Sequence, residues 1–213
     1  MLKYEKMVVG ELQTNCYLVW DEVTKEAIVI DPADAGVEIS DQIQTLGLKP
    51  LMVLGTHGHF DHLLGALDIM LIFNIPIAIS MKDMFLLKRQ QETASYFLKH
   101  QVKTPNFVKI NIDLDKALSV KLGQEKLITI KTPGHTPGGI CLYSEANKML
   151  FCGDILFADG LIGETTHDYS SMVELRQSLR KLLELPADTT IFPGHGEVDT
   201  IENCIKQSSI LES

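Results

Sequence analysis

The 213-residue sequence predicts an α/β fold of two similar halves, each a β-sheet covered by helices, packed sheet against sheet. Three observations lead there. Between residues 16 and 80 strand, helix and strand alternate, an order that lays helices over a sheet. Past residue 104 the pattern changes to short alternating strands and then returns to helix, strand and helix. No repeat of fixed period, low-complexity tract or long polar linker separates the two runs. With 45% hydrophobic residues the chain can bury a sizeable core, so residues 1–213 read as one domain.

Taken in order, "CYLVW" (16–20) and "EAIVIDP" (26–32) are strands, β-branched and aromatic residues flanked by turn formers. "GVEISDQIQTLG" has helical spacing and stops at Gly47. "PLMVLGTH" (50–57) is a buried-strand run, "DHLLGALDIMLIFN" (61–74) one helix and "IPIAIS" (75–80) a strand. "MKDMFLLKRQQETASYFLKHQ" (81–101) is strongly helical; its Met84, Phe85 and Tyr96 form either a pocket wall or the packed face of an amphipathic helix. Short strands follow over 104–135. "GICLYS" and "KMLFCGDILF" pair as a hairpin joined at "EANK" (145–148). "MVELRQSLRKLLELP" (172–186) is an amphipathic helix, "TTIFPGH" (189–195) a strand end and "TIENCIKQSSIL" (200–211) a closing helix.

The net charge of −9 disfavours general nucleic-acid binding, which rests on Lys and Arg neutralising phosphates. Glu5 and Glu11 interrupt the N-terminal apolar run, which reads as no signal peptide. No stretch reaches the ~18 consecutive apolar residues of a membrane span. Cys16, Cys141, Cys152 and Cys204 form no CxxC pair and read as reduced core thiols, so a cytoplasmic protein is expected.

Three of the seven histidines fall in "THGHFDH" (56–62), between a strand and a helix. His57 and His59 lie two apart around Gly58, and Asp61 and His62 follow where the chain turns; Asp61 also suits a helix N-cap. His135 in "TPGHTPGG", Asp154 in "LFCGDILF" and His195 in "IFPGHGE" each follow a strand-like run and sit beside glycine. His100 reads as a surface residue, and His167 as either that or a neighbour of the site. Five imidazoles and two carboxylates exceed the ligands of one tetrahedral ion and suit two, with one carboxylate shared. Nitrogen-rich ligation favours zinc or iron over magnesium or calcium.

"THGHFDH" resembles the HxHxDH signature of the metallo-β-lactamase superfamily, and "GHTPG", "GDILF" and "PGHG" resemble its other metal motifs in order. "TNCYLVW" and "AIVIDPA" resemble the first strands of its glyoxalase II-like branch, and the resemblance runs from about Asn15 to about Glu202. It implies an αββα sandwich, two mixed sheets face to face with helices outside. It also implies a binuclear hydrolase with two zinc ions, iron or manganese being alternatives. His57, His59 and His135 would hold the first ion, Asp61, His62 and His195 the second, and Asp154 would bridge them. Asp31 in "IDP" either orients the metal loop from behind or is a turn residue before Pro32. Metal-bound hydroxide, formed near neutral pH, would attack the carbonyl of a small thioester or ester, with Asp61 briefly accepting a proton. Cys152 reads as a core thiol rather than a nucleophile.

The chain also departs from that branch. About eighteen residues follow His195, leaving no room for the C-terminal helical domain of glyoxalase II. Glu164 stands where an arginine is expected, so nothing there pairs with a glutathione carboxylate. Arg176 and Arg180 would compensate only by reaching the pocket. Tyr169 is a candidate donor to a substrate oxygen, with His167 beside it. The alternative reading is a mononuclear iron persulfide dioxygenase; lactonase and ribonuclease rank lower. The partner expected is a small molecule, with no nucleic acid and no membrane.

Overall fold

The computed structural model describes residues 1–104 and 110–207. The first half comprises β1 (Leu2–Val9), β2 (Thr14–Asp21), β3 (Glu26–Ile30), α1 (Gly36–Thr45), β4 (Lys49–Leu54), α2 (Phe60–Leu63), α3 (Ala66–Phe73), β5 (Ile77–Ile79), α4 (Met84–Leu87) and α5 (Gln90–Leu98). The remainder comprises β6 (Ile112–Asp113), β7 (Ser119–Leu122), β8 (Glu125–Lys131), β9 (Ile140–Ser144), β10 (Met149–Gly153), α6 (Met172–Leu183), β11 (Thr190–Pro193), β12 (Asp199–Thr200) and α7 (Ile201–Gln207). The sequence expectation of a closing helix over 200–211 lies, beyond Gln207, outside the described residues.

Two mixed six-stranded sheets result, ordered β1-β2-β3-β4-β5-β6 and β12-β11-β10-β9-β8-β7. Period-two alternation sorts each strand's side chains between two cores. Tyr17, Val19, Ile28 and Ile30 of the first sheet meet Leu142, Phe151 and Phe192 of the second. The residues between them, such as Leu18 and Val29, face Ile39, Ile43 and Ile69 of α1 and α3. On the far side Cys141, Leu150 and Cys152 pack on Leu175, Leu179 and Leu182 of α6. The inter-sheet core centres on Phe151, stacked 4.8 Å from Phe192 and edge-on to Tyr17 at 5.4 Å. All four cysteines are free and buried, as expected of core thiols.

Strand direction positions the site. β3 and β4 run parallel, as do β10 and β11. β8 and β10 are both antiparallel to β9, so they also point one way. The loops after these strands carry Asp31, His57, His135, Asp154 and His195. Backbone bonds join the halves there: Asn15 N donates to Gly194 O at 2.7 Å and Ile140 N to Thr56 O at 2.9 Å.

Two long helices of the sequence reading are broken. The 61–74 helix divides into α2 and α3 at Leu64–Gly65. Gly65 N donates to Ala33 O, and a Cβ at Gly65 would lie 2.6 Å from Gly36 N, so close backbone packing on α1 interrupts the helix. The 81–101 helix becomes a short 3₁₀ turn (Met81–Asp83), α4 and α5: Asp83 turns inward at the end of the 3₁₀ turn, and a second break falls at Lys88–Arg89. The strands β1 and β12 were not anticipated. No helix among the described residues is long and apolar enough to cross a membrane.

Candidate metal centre

His57-Gly58-His59 leaves β4 as a loop, and His59, not Asp61 as the sequence suggested, stands at the N-cap position of α2, without a side-chain capping bond. His59 Nδ1 lies 2.9 Å from His57 Nε2 and 3.0 Å from His135 Nε2. Asp61, His62 and His195 bring one ligand atom each within 4.8 Å of one another, as do His57, His59 and His135. His195 Nε2 is 3.3 Å from Asp61 Oδ2. Asp154 stands between the two groups: its Oδ1 is 3.6 Å from His62 Nε2, and its Oδ2 is 3.6 Å from His195 Nε2 and 3.9 Å from His135 Nε2.

The far nitrogens decide where the protons sit. His62 Nδ1 is 3.0 Å from Asp31 Oδ2 and donates to it. His135 Nδ1 donates to the Glu164 carbonyl at 2.8 Å. His59 Nε2 is 2.9 Å from the Tyr169 hydroxyl. His57 Nδ1 is 3.1 Å from Thr56 Oγ1, which itself donates to Asp31 Oδ2 at 2.6 Å. With those nitrogens carrying hydrogen, four near nitrogens present lone pairs to a common space. In these tautomers the facing nitrogens, 2.9–3.0 Å apart, repel unless a cation lies among them. His62 Nε2 and Asp154 Oδ1, both buried, lack a hydrogen-bond partner among the described residues. Buried polar atoms are normally paired, so a metal ion fits this donor set.

Electrostatics agree with that fit. Burial, then the neighbouring His62, pushes His57 well below the usual imidazole range. Burial, then His135, takes His59 down to about 3. Burial opposes charge on His62, but Asp154, Asp61 and Asp31 outweigh it and raise its pKa, so a cation would compete with a proton there. Burial raises and His62 lowers the Asp154 carboxyl, and the net is well below the usual range. Asp61 is likewise lowered, burial being outweighed by His62 and His195.

Asp31 takes a left-handed conformation (φ 50°) at the end of β3, and its Oδ1 accepts Thr56 N at 2.8 Å. Of its two sequence readings, the contacts are those of a carboxylate holding the His57 loop and His62 from behind. Gly194 admits no side chain, because a Cβ there would lie 2.2 Å from Asp154 Oδ1.

A cavity of about 150 Å³ opens over His59, Asp61, His135 and Asp154, walled by Leu12, Phe60, Phe97, His167 and Tyr169. Of the suggested wall residues, Met84 packs into the core and Tyr96 is exposed, while Phe85 meets the Tyr169 ring at 5.3 Å. Arg176 and Arg180 do not line the cavity; Glu164 does. His100 pairs with Glu11 at the surface.

Sequence reasoning missed Asp83. Its fully buried carboxylate accepts Gly58 N (2.9 Å), Thr136 Oγ1 (2.7 Å) and Gly138 N (2.7 Å), tying the His57–His59 loop to the His135 loop. A lone acid just beyond β5, at the same sheet end as the other site loops, was the available signal.

The metallo-beta-lactamase superfamily pattern matches residues 9–195. The chain belongs to the metallo-beta-lactamase superfamily. Among relatives, the hydroxyacylglutathione hydrolase GloC of Haemophilus influenzae is 32% identical over 214 residues, covering 100% of this chain and 99% of its own. The probable metallo-hydrolase YqgX of Bacillus subtilis is 34% identical over 204 residues, covering 94% and 93%. Among solved structures, TTHA1623 in a di-iron-bound form superposes with a TM-score of 0.84 at 27% identity, covering 96% of this chain and 98% of that one. For this superfamily member the paired sheets are thus the family fold, and the donor cluster lies at its loop end.

Proposed function

We propose that this metal-dependent hydrolase of the superfamily cleaves a small thioester or ester, as the glyoxalase II-like branch does, with two ions in the donor cluster. One observation carries the reading: four imidazoles anchored at their far nitrogens turn lone pairs toward two carboxylates of lowered pKa. His57, His59 and His135 would hold one ion, Asp61, His62 and His195 the other, and Asp154 both. The donor chemistry suits zinc and is compatible with iron or manganese; similarity to a di-iron protein keeps iron open.

Ions held there would supply Lewis acidity and would acidify a bound water toward a pKa of about 7. The chain's own residues orient and enclose. Asp31 and the Glu164 carbonyl fix the ring planes of His62 and His135. Ionised Asp61 borders the cavity and can take up a proton transiently on the carboxylate. Leu12, Phe60 and Phe97 give the acyl group an apolar seat that excludes water. None of the described residues lining that cavity is Lys or Arg, and Glu164 adds negative charge. A small acyl group therefore fits better than a polyanionic leaving group.

The test is metal content together with a panel of thioesters, esters and lactones that includes lactoylglutathione. Two ions per chain and turnover of neutral thioesters are expected. An inert, zinc-loaded protein would overturn the hydrolase reading. One iron per chain with oxygen uptake would replace it with persulfide oxidation.

A further inference from the structure

Tyr169 is placed by a stitched loop rather than by a helix or strand. Ser170 Oγ donates to the His135 carbonyl at 2.7 Å, and Ser171 N donates to Gly134 O at 2.8 Å. The Tyr169 ring stacks on His167 (4.9 Å, 15° between planes) and meets Phe85 edge-on at 5.3 Å. Two aromatic partners and a pinned backbone leave the ring little freedom. Its hydroxyl then falls 2.9 Å from His59 Nε2.

His59 Nδ1 faces two other imidazole nitrogens at 2.9 and 3.0 Å, so with a metal ion held among the three its proton belongs on Nε2. That N–H donates to the Tyr169 oxygen. A phenol is both donor and acceptor, so having accepted from His59 it keeps its own O–H. Tyr169 also lines the cavity over the donor cluster.

We propose that Tyr169 is a positioning residue that fixes the His59 imidazole with Nδ1 inward and offers its own hydroxyl proton to the acyl oxygen of a carbonyl substrate in that cavity. The first role concerns the His59 ring alone; the second rests on the hydrolase reading above. His167 and Phe85 serve the arrangement by holding the phenol ring.

Tyr169→Phe keeps the ring packing and removes only the oxygen. Zinc affinity of this variant, measured by competition with a chromogenic chelator, is expected to fall about 10–100-fold. Long-range ¹H–¹⁵N spectra of the zinc-loaded wild type should show His59 protonated at Nε2 and slow to exchange, and the variant should exchange faster. Zinc affinity within about twofold of wild type, with unchanged exchange, would overturn the positioning role. At saturating zinc, a lowered kcat on a neutral thioester supports the donor role, and a wild-type kcat and KM would overturn it. Should the wild type itself hydrolyse nothing, the hydrolase reading fails while the affinity and exchange measurements still decide the positioning role.

Discussion

Four of the five imidazoles of the cluster have a partner at the far nitrogen that orients the ring. Asp31 serves two of them, taking His62 Nδ1 directly and His57 through Thr56. Asp31→Asn preserves volume but replaces one of the two acceptor oxygens with an NH₂ donor. Zinc affinity should drop about 10–100-fold, read by chelator competition, and an unchanged affinity would reduce Asp31 to a turn residue. Gly194 acts by having no side chain. In Gly194→Ala the new methyl would meet Asp154 Oδ1 and His62 Cε1, at 2.2 and 2.6 Å. Metal content per chain should fall, and because the clash is with protein atoms the metal-free protein should also melt somewhat lower than wild type. Full occupancy in that variant would show the crowding to be harmless.

Among elements, the short turn and helix after β5 matter more for the site than their length suggests. Asp83 ends the turn, and its three accepted hydrogen bonds hold one site loop from each sheet. A Cβ at Gly58 or Gly138 would come within 2.6 Å of Asp83 atoms, so both glycines let the loops close on it. Burial lifts the Asp83 carboxyl above its ordinary range against the hydrogen bonds of Thr136, Gly138 and Gly58. Asp83→Ala strands three donors. At about 1–3 kcal/mol for each buried unsatisfied group, stability should fall by at least about 3 kcal/mol in urea denaturation of the metal-free protein. A loss below about 1 kcal/mol would mean the loops do not depend on it.

Across the whole molecule the two sheets are stapled at both ends. Far from the site, buried Asp21 accepts Val23 N (2.9 Å), Thr24 N (2.8 Å) and, from the opposite sheet's β7–β8 turn, Gln124 N (3.3 Å). The Thr24 backbone bond leads in lowering its pKa below the ordinary 3.8. A depressed folded-state pKa makes its stabilisation fully present above the unfolded value and lost as pH falls through the folded one. The stability difference between wild type and Asp21→Asn should therefore be constant near neutrality and shrink below about pH 4. Urea titrations at several pH values measure it, and a difference that grew on acidification would contradict the staple.

The sequence by itself determined the alternation of strands and helices, the two-sheet architecture and the pool of donor side chains. Those are local matters: period-two hydrophobicity assigns strand faces, and imidazoles beside glycine after apolar runs mark strand-exit loops. Tertiary structure decided the rest. His57 and His195 lie far apart along the chain, and only parallel strand directions bring their loops to one end. Which nitrogen of His62, His57, His135 and His59 faces inward depends on Asp31, Thr56, Glu164 and Tyr169 in turn, three of them supplied by distant segments. Helix breaks at Gly65 and near Asp83 were hidden because hydrophobic periodicity runs straight through both, while the contacts that interrupt them come from α1 and from the second sheet.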